Sequence, residues 1–249
     1  MSFLHSPLLS MADWVTQQSS KKRVYTLKEG TSLDVTILGH KGVSLCEMSR
    51  LGLPVPQGII ITSDASLECH EAGNLLHDDL VKEYKTAILD LEKQTGQYFG
   101  ALDRPPLLLA IRPGSSVSSK DDLISSSCDY HIPVPESWKV PGITKSFLNI
   151  GMNEAIMNHL AKTVGARFAL DTYMRFLMNF GTLVHKINPA EYTDLIKEVS
   201  SNRGGYLSIS DLQFIIGKFK LMAVIPDDPW DQVNYTFSYF LNHSHLAIR

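Results

Sequence analysis

Apolar residues change their spacing several times along the chain, and each change predicts an element. RVYTL, from Arg23, alternates apolar and polar side chains as a short strand does, and DVTIL repeats the alternation after a Gly-Thr-Ser turn. Val43, Leu45, Cys46 and Met48 then suit a short helix up to Arg50, with Gly52 where helices stop. Ile59 to Thr62 reads as a buried strand turning at Ser63 or Asp64, either of which can cap the helix that follows. Leu80, Tyr84, Ile88 and Leu91 share one face of a longer amphipathic helix. PLLLAIR, residues 106–112, is a continuous apolar run. It predicts a buried strand that delivers Arg112 at its exit, ahead of Pro-Gly.

Periodicity fades after Ser115. Residues 118–140 are rich in Ser, Asp and Pro and predict a long, poorly packed surface loop. Helical spacing resumes at Asn153, and Gly165 separates a first helix from a second over 166–180. The second carries Phe168, Thr172, Phe176 and Phe180 on one stripe, closed by Gly181. Helices over 190–199 and 210–220 follow, and PDDPW opens a last one that reaches almost to the end. The order predicts an α+β fold: a loosely ordered tail (1–22), an α/β part (23–152) with an insert at about 118–140, and a mainly helical part (153–249).

Composition sets outer limits. The 249 residues are 44% hydrophobic and 20% charged, which suits a globular chain with a sizeable core. A formal net charge of -3 gives no basic excess for nucleic acid. No apolar run approaches the ~18 residues that would span a membrane. The three cysteines have no paired spacing, which argues against a disulfide framework or zinc site and for an intracellular setting, cytoplasmic or organellar. The first residues lack the basic and long apolar regions of a signal peptide. Cys128 with His131, and the His243–His245 pair, invite catalytic or metal readings, but a nucleophilic Cys/His pair needs a third orienting group and a rigid frame, and the insert offers neither.

LGHKGVSLCEM, residues 38–48, places Lys41 among small residues just ahead of a helix. Small neighbours let backbone approach a phosphate, a helix start offers free N–H groups, and the ammonium adds charge. The Walker A spacing is absent. On these residues alone, a phosphate ligand and an exposed turn lysine both stay open.

The same segment, continued by SRLGLPVPQGIIIT, resembles the opening of the pyruvate, phosphate dikinase family, with its Leu-Gly-Gly-Lys-Gly and Gly-Leu-Pro-Val-Pro patterns. LLLAIRPGSSVS, PGITKSFLNIGMNE, RFALDTYMRFLMNFG and PDDPWDQV resemble later family segments in the same order. The resemblance implies the N-terminal part of an ATP-grasp type domain. In that family the domain binds Mg-ATP and phosphorylates a histidine on a separate swivelling domain, which delivers the phosphate to pyruvate on a barrel domain. It implies ATP and Mg2+ as cofactors, with metal ligands outside this chain, and a possible homodimer in the full-length enzyme. This part alone is expected to be inactive.

By the same resemblance, Lys41 and Arg112 match the family's phosphate-contacting lysine and arginine, and Arg112 is the candidate catalytic residue. Gly42 and Gly142 belong to the matching glycine segments. Arg167 and Arg175 match arginines of a helix facing the nucleotide cleft. With Asp171 they form an Arg-Asp-Arg ladder, which a plain salt-bridge row would also explain. There are departures. His40 replaces a second glycine, the phosphate-covering loop is split by the insert, and Lys145 stands where the family has Asp. Those departures admit a non-catalytic dikinase-like nucleotide-binding or regulatory module as an alternative, and the lysine segment, which phosphoenolpyruvate synthase shares, admits a relative of that enzyme as a second.

Overall fold

The computed structural model describes residues 22–114, 146–201 and 205–243. The tail before Lys22, the insert at 118–140, and Gly142, Lys145, Cys128, His131 and His245 lie outside the described residues. The fold is α+β, with short strands and predominant helix.

β1 (Val24–Thr26) pairs antiparallel with β2 (Ile59–Ile61), Val24 opposite Ile61. Carboxylates take three of the N–H groups at and beside β1. Glu83 accepts from the amides of Arg23 (2.7 Å) and Val24 (2.9 Å), and Glu29 accepts from that of Thr26 (3.0 Å). Arg23 also reaches Glu68 at 3.3 Å, so one guanidinium links two helices to the strand.

DVTIL is not a strand. It forms the first turn of α1 (Val35–Arg50). Asp34 caps this turn by accepting from the Thr36 amide at 2.8 Å, and Leu38 is buried. A cap and a buried leucine outweigh the strand preference of Val35, Thr36 and Ile37, which spans only about 1 kcal/mol. The helix is interrupted at Gly39 (φ 69°, ψ 165°), a conformation essentially reserved for glycine. The positive φ therefore falls on Gly39 and not on His40, and the histidine carries no such strain. Gly52 (φ 75°) ends α1 as the sequence predicts, with its N–H on Ser49 O (3.1 Å) and that of Leu53 on Met48 O (3.0 Å).

α2 (Ser63–Glu71) is capped by Thr62, one residue earlier than expected, through Ala65 N–H at 3.2 Å. α3 (Asp78–Thr95) buries Leu80, Tyr84, Ile88 and Leu91, the predicted face. The 106–112 run divides in two. β4 (Pro106–Leu107) runs parallel to β3 (Tyr98–Phe99), and β5 (Leu109–Ile111) is antiparallel to β6 (Phe147–Ile150) with a register shift. Only the β4 half is buried, because Ala110 faces solvent and Leu109 and Ile111 are half-covered.

α4 (Glu154–Thr163), α5 (Ala166–Val184), α6 (Pro189–Ser201), α7 (Ile209–Met222) and α8 (Pro229–His243) complete the described chain. α5 is central and packs on α4, α7 and β6. It passes straight through Gly181, where a Cβ would collide with Tyr192 Oη. This glycine permits close approach of α6 and does not end the helix. Phe168, the first residue of the predicted stripe, is 59% exposed, and the buried residues of α5 begin at Ala169.

α8 closes the core. Its Trp230 meets Phe99 edge-on (4.8 Å between centroids), Phe237 meets Tyr84 (5.2 Å), and Tyr239 and Phe240 meet Phe147 (5.3 and 5.4 Å). Gln232, fully buried, accepts from Gly151 N–H (2.8 Å) and donates to Met152 O (2.9 Å) and Pro226 O (2.8 Å). Gly151 has φ 100°, and a Cβ there would come within 2.6 Å of the Phe99 ring. One buried cluster runs from Val24 to Leu241, taking residues from both 23–152 and 153–249. A second, small cluster holds Leu27, Leu38 and Cys46. No helix among the described residues is long and apolar enough to cross a membrane.

Candidate functional site at the helix break and strand exit

Lys41 lies in the first turn after the Gly39 break, not in a loop before a helix. Its half-buried side chain crosses to the far end of the sheet strand, where Nζ donates to Pro113 O at 3.3 Å, 72 residues away in sequence. Gly114 lies against the other flank of the break, with Leu38 O 3.9 Å from where its Cβ would be. The exit of β5 thus runs along the interruption in α1. Arg112, exposed, is the residue adjacent to Pro113 in that exit.

The chemistry of this junction is cationic. It combines an ammonium, the opening turn of a helix, whose first N–H groups have no intrahelical acceptor, and a strand exit that carries an exposed arginine one residue before the lysine's partner. Such a set favours an oxyanion. Arg112 can fork two oxygens, while Lys41 acts as a point charge. Gly42 is buried, and its missing side chain points at Leu38 (3.0 Å) and Ile60 (3.3 Å). Its smallness therefore lets α1 rest on β2.

Arg167 and Arg175 stand elsewhere, on α5. Arg175 Nε pairs with Asp171 at 2.7 Å. Arg167 turns to the connection before α7, where it donates to Leu207 O and lies over the Tyr206 ring (4.3 Å). Half of the predicted ladder thus forms.

Two residues escaped the sequence reading. Gly39 has a weak signal, a glycine within an apolar periodic stretch. Asn179 has none. Its Oδ1 accepts from Leu148 N–H (3.0 Å) and its Nδ2 donates to Ser146 O (3.1 Å), so it pins the strand that follows residue 145.

Other chemistries find little support here. Among the described residues, no group of three or more His, Cys, Asp or Glu could hold a metal ion. Cys46 and Cys69 are buried thiols pushed upward in pKa by that burial, which disfavours the nucleophilic thiolate.

No family model matches the chain. Individual relatives do. Pyruvate, phosphate dikinase 1, chloroplastic, of Zea mays is 30% identical over 242 residues, 92% of this chain and 23% of the relative. The pyruvate, phosphate dikinase of Rickettsia felis is 31% identical over 244 residues, 92% of this chain and 25% of the relative. That of Entamoeba histolytica is 31% identical over 184 residues, 74% of this chain and 18% of the relative. The chain spans about a fifth to a quarter of the length of the curated relatives it matches. With similarity running through almost all of its 249 residues, including the segments that meet at Lys41 and Pro113, the chain belongs to the pyruvate, phosphate dikinase family.

Proposed function

We propose that this chain is the ATP-binding part of a longer phosphotransferase with an ATP-grasp type nucleotide site. In this reading the whole enzyme phosphorylates a carrier histidine from ATP and then interconverts pyruvate and phosphoenolpyruvate. The observation that carries the reading is the hydrogen bond from Lys41 Nζ to Pro113 O. It joins the two segments that resemble the family's lysine and arginine phosphate contacts, and local structure alone would not bring them together.

Lys41 and Arg112 bind the phosphates, and Arg112 stabilises charge on the group being transferred. Gly142, outside the described residues, belongs to this site by the family resemblance alone. Arg167 and Arg175, which match arginines of a helix facing the nucleotide cleft, are further candidate ATP contacts, engaged here with Leu207 O and Asp171. Carboxylates of the rest of the enzyme would hold the Mg2+ of ATP, which would supply charge neutralisation at the phosphates. The carrier-histidine and pyruvate-binding domains are the partners within the full-length protein.

The test uses the full-length protein. Lys41→Ala and Arg112→Ala should each weaken ATP binding by about 1.5–3 kcal/mol, the range for hydrogen bonds to charged groups. Both should suppress histidine phosphorylation by ATP and leave exchange between phosphoenolpyruvate and the histidine intact. Loss of both half-reactions would mean a damaged fold. Loss of neither would refute the reading.

A further inference from the structure

We propose that Gly39 is a positioning residue for the Lys41 phosphate contact, and that its backbone angle, not its small size, aims the lysine at the exit of β5. This inference rests on the phosphate reading of Lys41 above.

Three observations carry it. First, α1 contains one non-helical residue, Gly39, at φ 69° and ψ 165°. An L-residue is strained there, and conformations of this kind persist only where their surroundings determine them. Second, the surroundings are on one segment: Leu38 O faces Gly114, and Lys41 Nζ bonds Pro113 O. The two flanks of the break thus seat on consecutive residues of the β5 exit. Third, Lys41 stands two residues past the break, in the first turn of the second helical piece. The direction of that turn, and of the lysine on it, follows from the two torsions at Gly39. A side chain restricted to negative φ would straighten or re-aim the second piece. Either would carry Lys41 away from Pro113 and from the neighbouring Arg112.

Gly42 provides the contrast. It lies three residues further along α1, and its smallness is consumed by Leu38 and Ile60. Substitution there attacks packing under the helix. Substitution at Gly39 attacks direction.

The experiment is a double-mutant cycle in the full-length protein, with Mg-ATP as the titrant and thermal unfolding recorded in parallel. Gly39→Ala should weaken ATP binding by about as much as Lys41→Ala, on the order of tenfold or more for a lost charged contact. Combined with Lys41→Ala it should cost less than about twofold further, because both changes remove one interaction. The melting temperature should fall with Gly39→Ala in both backgrounds. A second variant covers poor folding. The native Cys46 allows a synthetic thioester of residues 1–45, carrying D-alanine at position 39, to be ligated to the expressed remainder. D-Alanine tolerates positive φ, so this protein should bind ATP within about twofold of the native one.

An equal loss from Gly39→Ala with and without Lys41 would overturn the inference and make the glycine merely structural. D-Alanine binding no better than L-alanine would overturn it too, by showing that size and not angle matters. If Lys41→Ala leaves ATP binding unchanged, the phosphate reading itself falls, and this inference with it.

Discussion

The large buried body around α5 and α8 and the small cluster beneath Lys41 are held together in different ways. The body is built on volume. Phe147 alone meets the rings of Phe180, Tyr239 and Phe240 at centroid separations of 5.3–5.7 Å, and Tyr84, Phe176 and Phe219 are almost wholly covered. The cluster of Leu27, Leu38 and Cys46 has little volume to contribute and is built on close backbone approach. A Cβ on Gly30 would lie 2.6 Å from Cys46 Sγ and 2.9 Å from Leu38, and one on Gly42 would press on Leu38 and Ile60. Bulky cores have side chains that can relax around a change. A cluster fitted by absent side chains has only the backbone to move, and the backbone here carries the lysine.

Three perturbations probe that contrast, in falling order of effect. Phe147→Ala should cost about 3–5 kcal/mol, the range for a deleted core aromatic. It should lower the unfolding midpoint of the entire chain. Gly30→Ala should cost about 1–3 kcal/mol by overpacking, with a different signature. Amide exchange should quicken in α1 and hold steady in α5. Equal acceleration in both helices would show that cluster and body open as one unit.

The smallest effect is electrostatic. The Lys22 ammonium, with the Thr26 amide, holds Glu29 at a pKa of about 2, against 4.5 for the free side chain. A carboxyl depressed on folding stabilises the native state above its unfolded pKa, and that contribution disappears as pH falls from about 4.5 to about 2. Both partners are 46% exposed, so screening limits the contribution to a few tenths of a kcal/mol. Melting curves across that window should fall slightly less steeply for Glu29→Gln than for the native chain.

What could be read from sequence follows the same division. The α3 face of Leu80, Tyr84, Ile88 and Leu91 was legible because volume burial leaves a 3.6-residue period. Gly52 was legible because a helix stop has a fixed offset from the last apolar residue. Val35 to Leu38 misled, since three β-branched residues in four carry strand preference, and the cap at Asp34 decides a single turn. Gly181 misled for another reason. A glycine in a helical pattern signals a stop and a close contact equally, and only the position of Tyr192 separates them. The unbroken apolar run at 106–112 hid its division, because periodicity records burial and not which partner each half pairs with. The meeting of Lys41 with Pro113 leaves no local trace across 72 residues. Only the family likeness of the two segments connected them.

Gln232 sits 81 residues after Gly151, whose amide it satisfies. A ribosome adding roughly 5–20 residues per second needs about 4–16 s to cover that interval. Throughout it, the Gly151 amide and the rings of Tyr84, Phe99 and Phe147 wait on the nascent chain for partners in α8 not yet made. The strands and first helices therefore emerge with their apolar side open, and that side is the surface a chaperone would meet before α8 arrives to seal it.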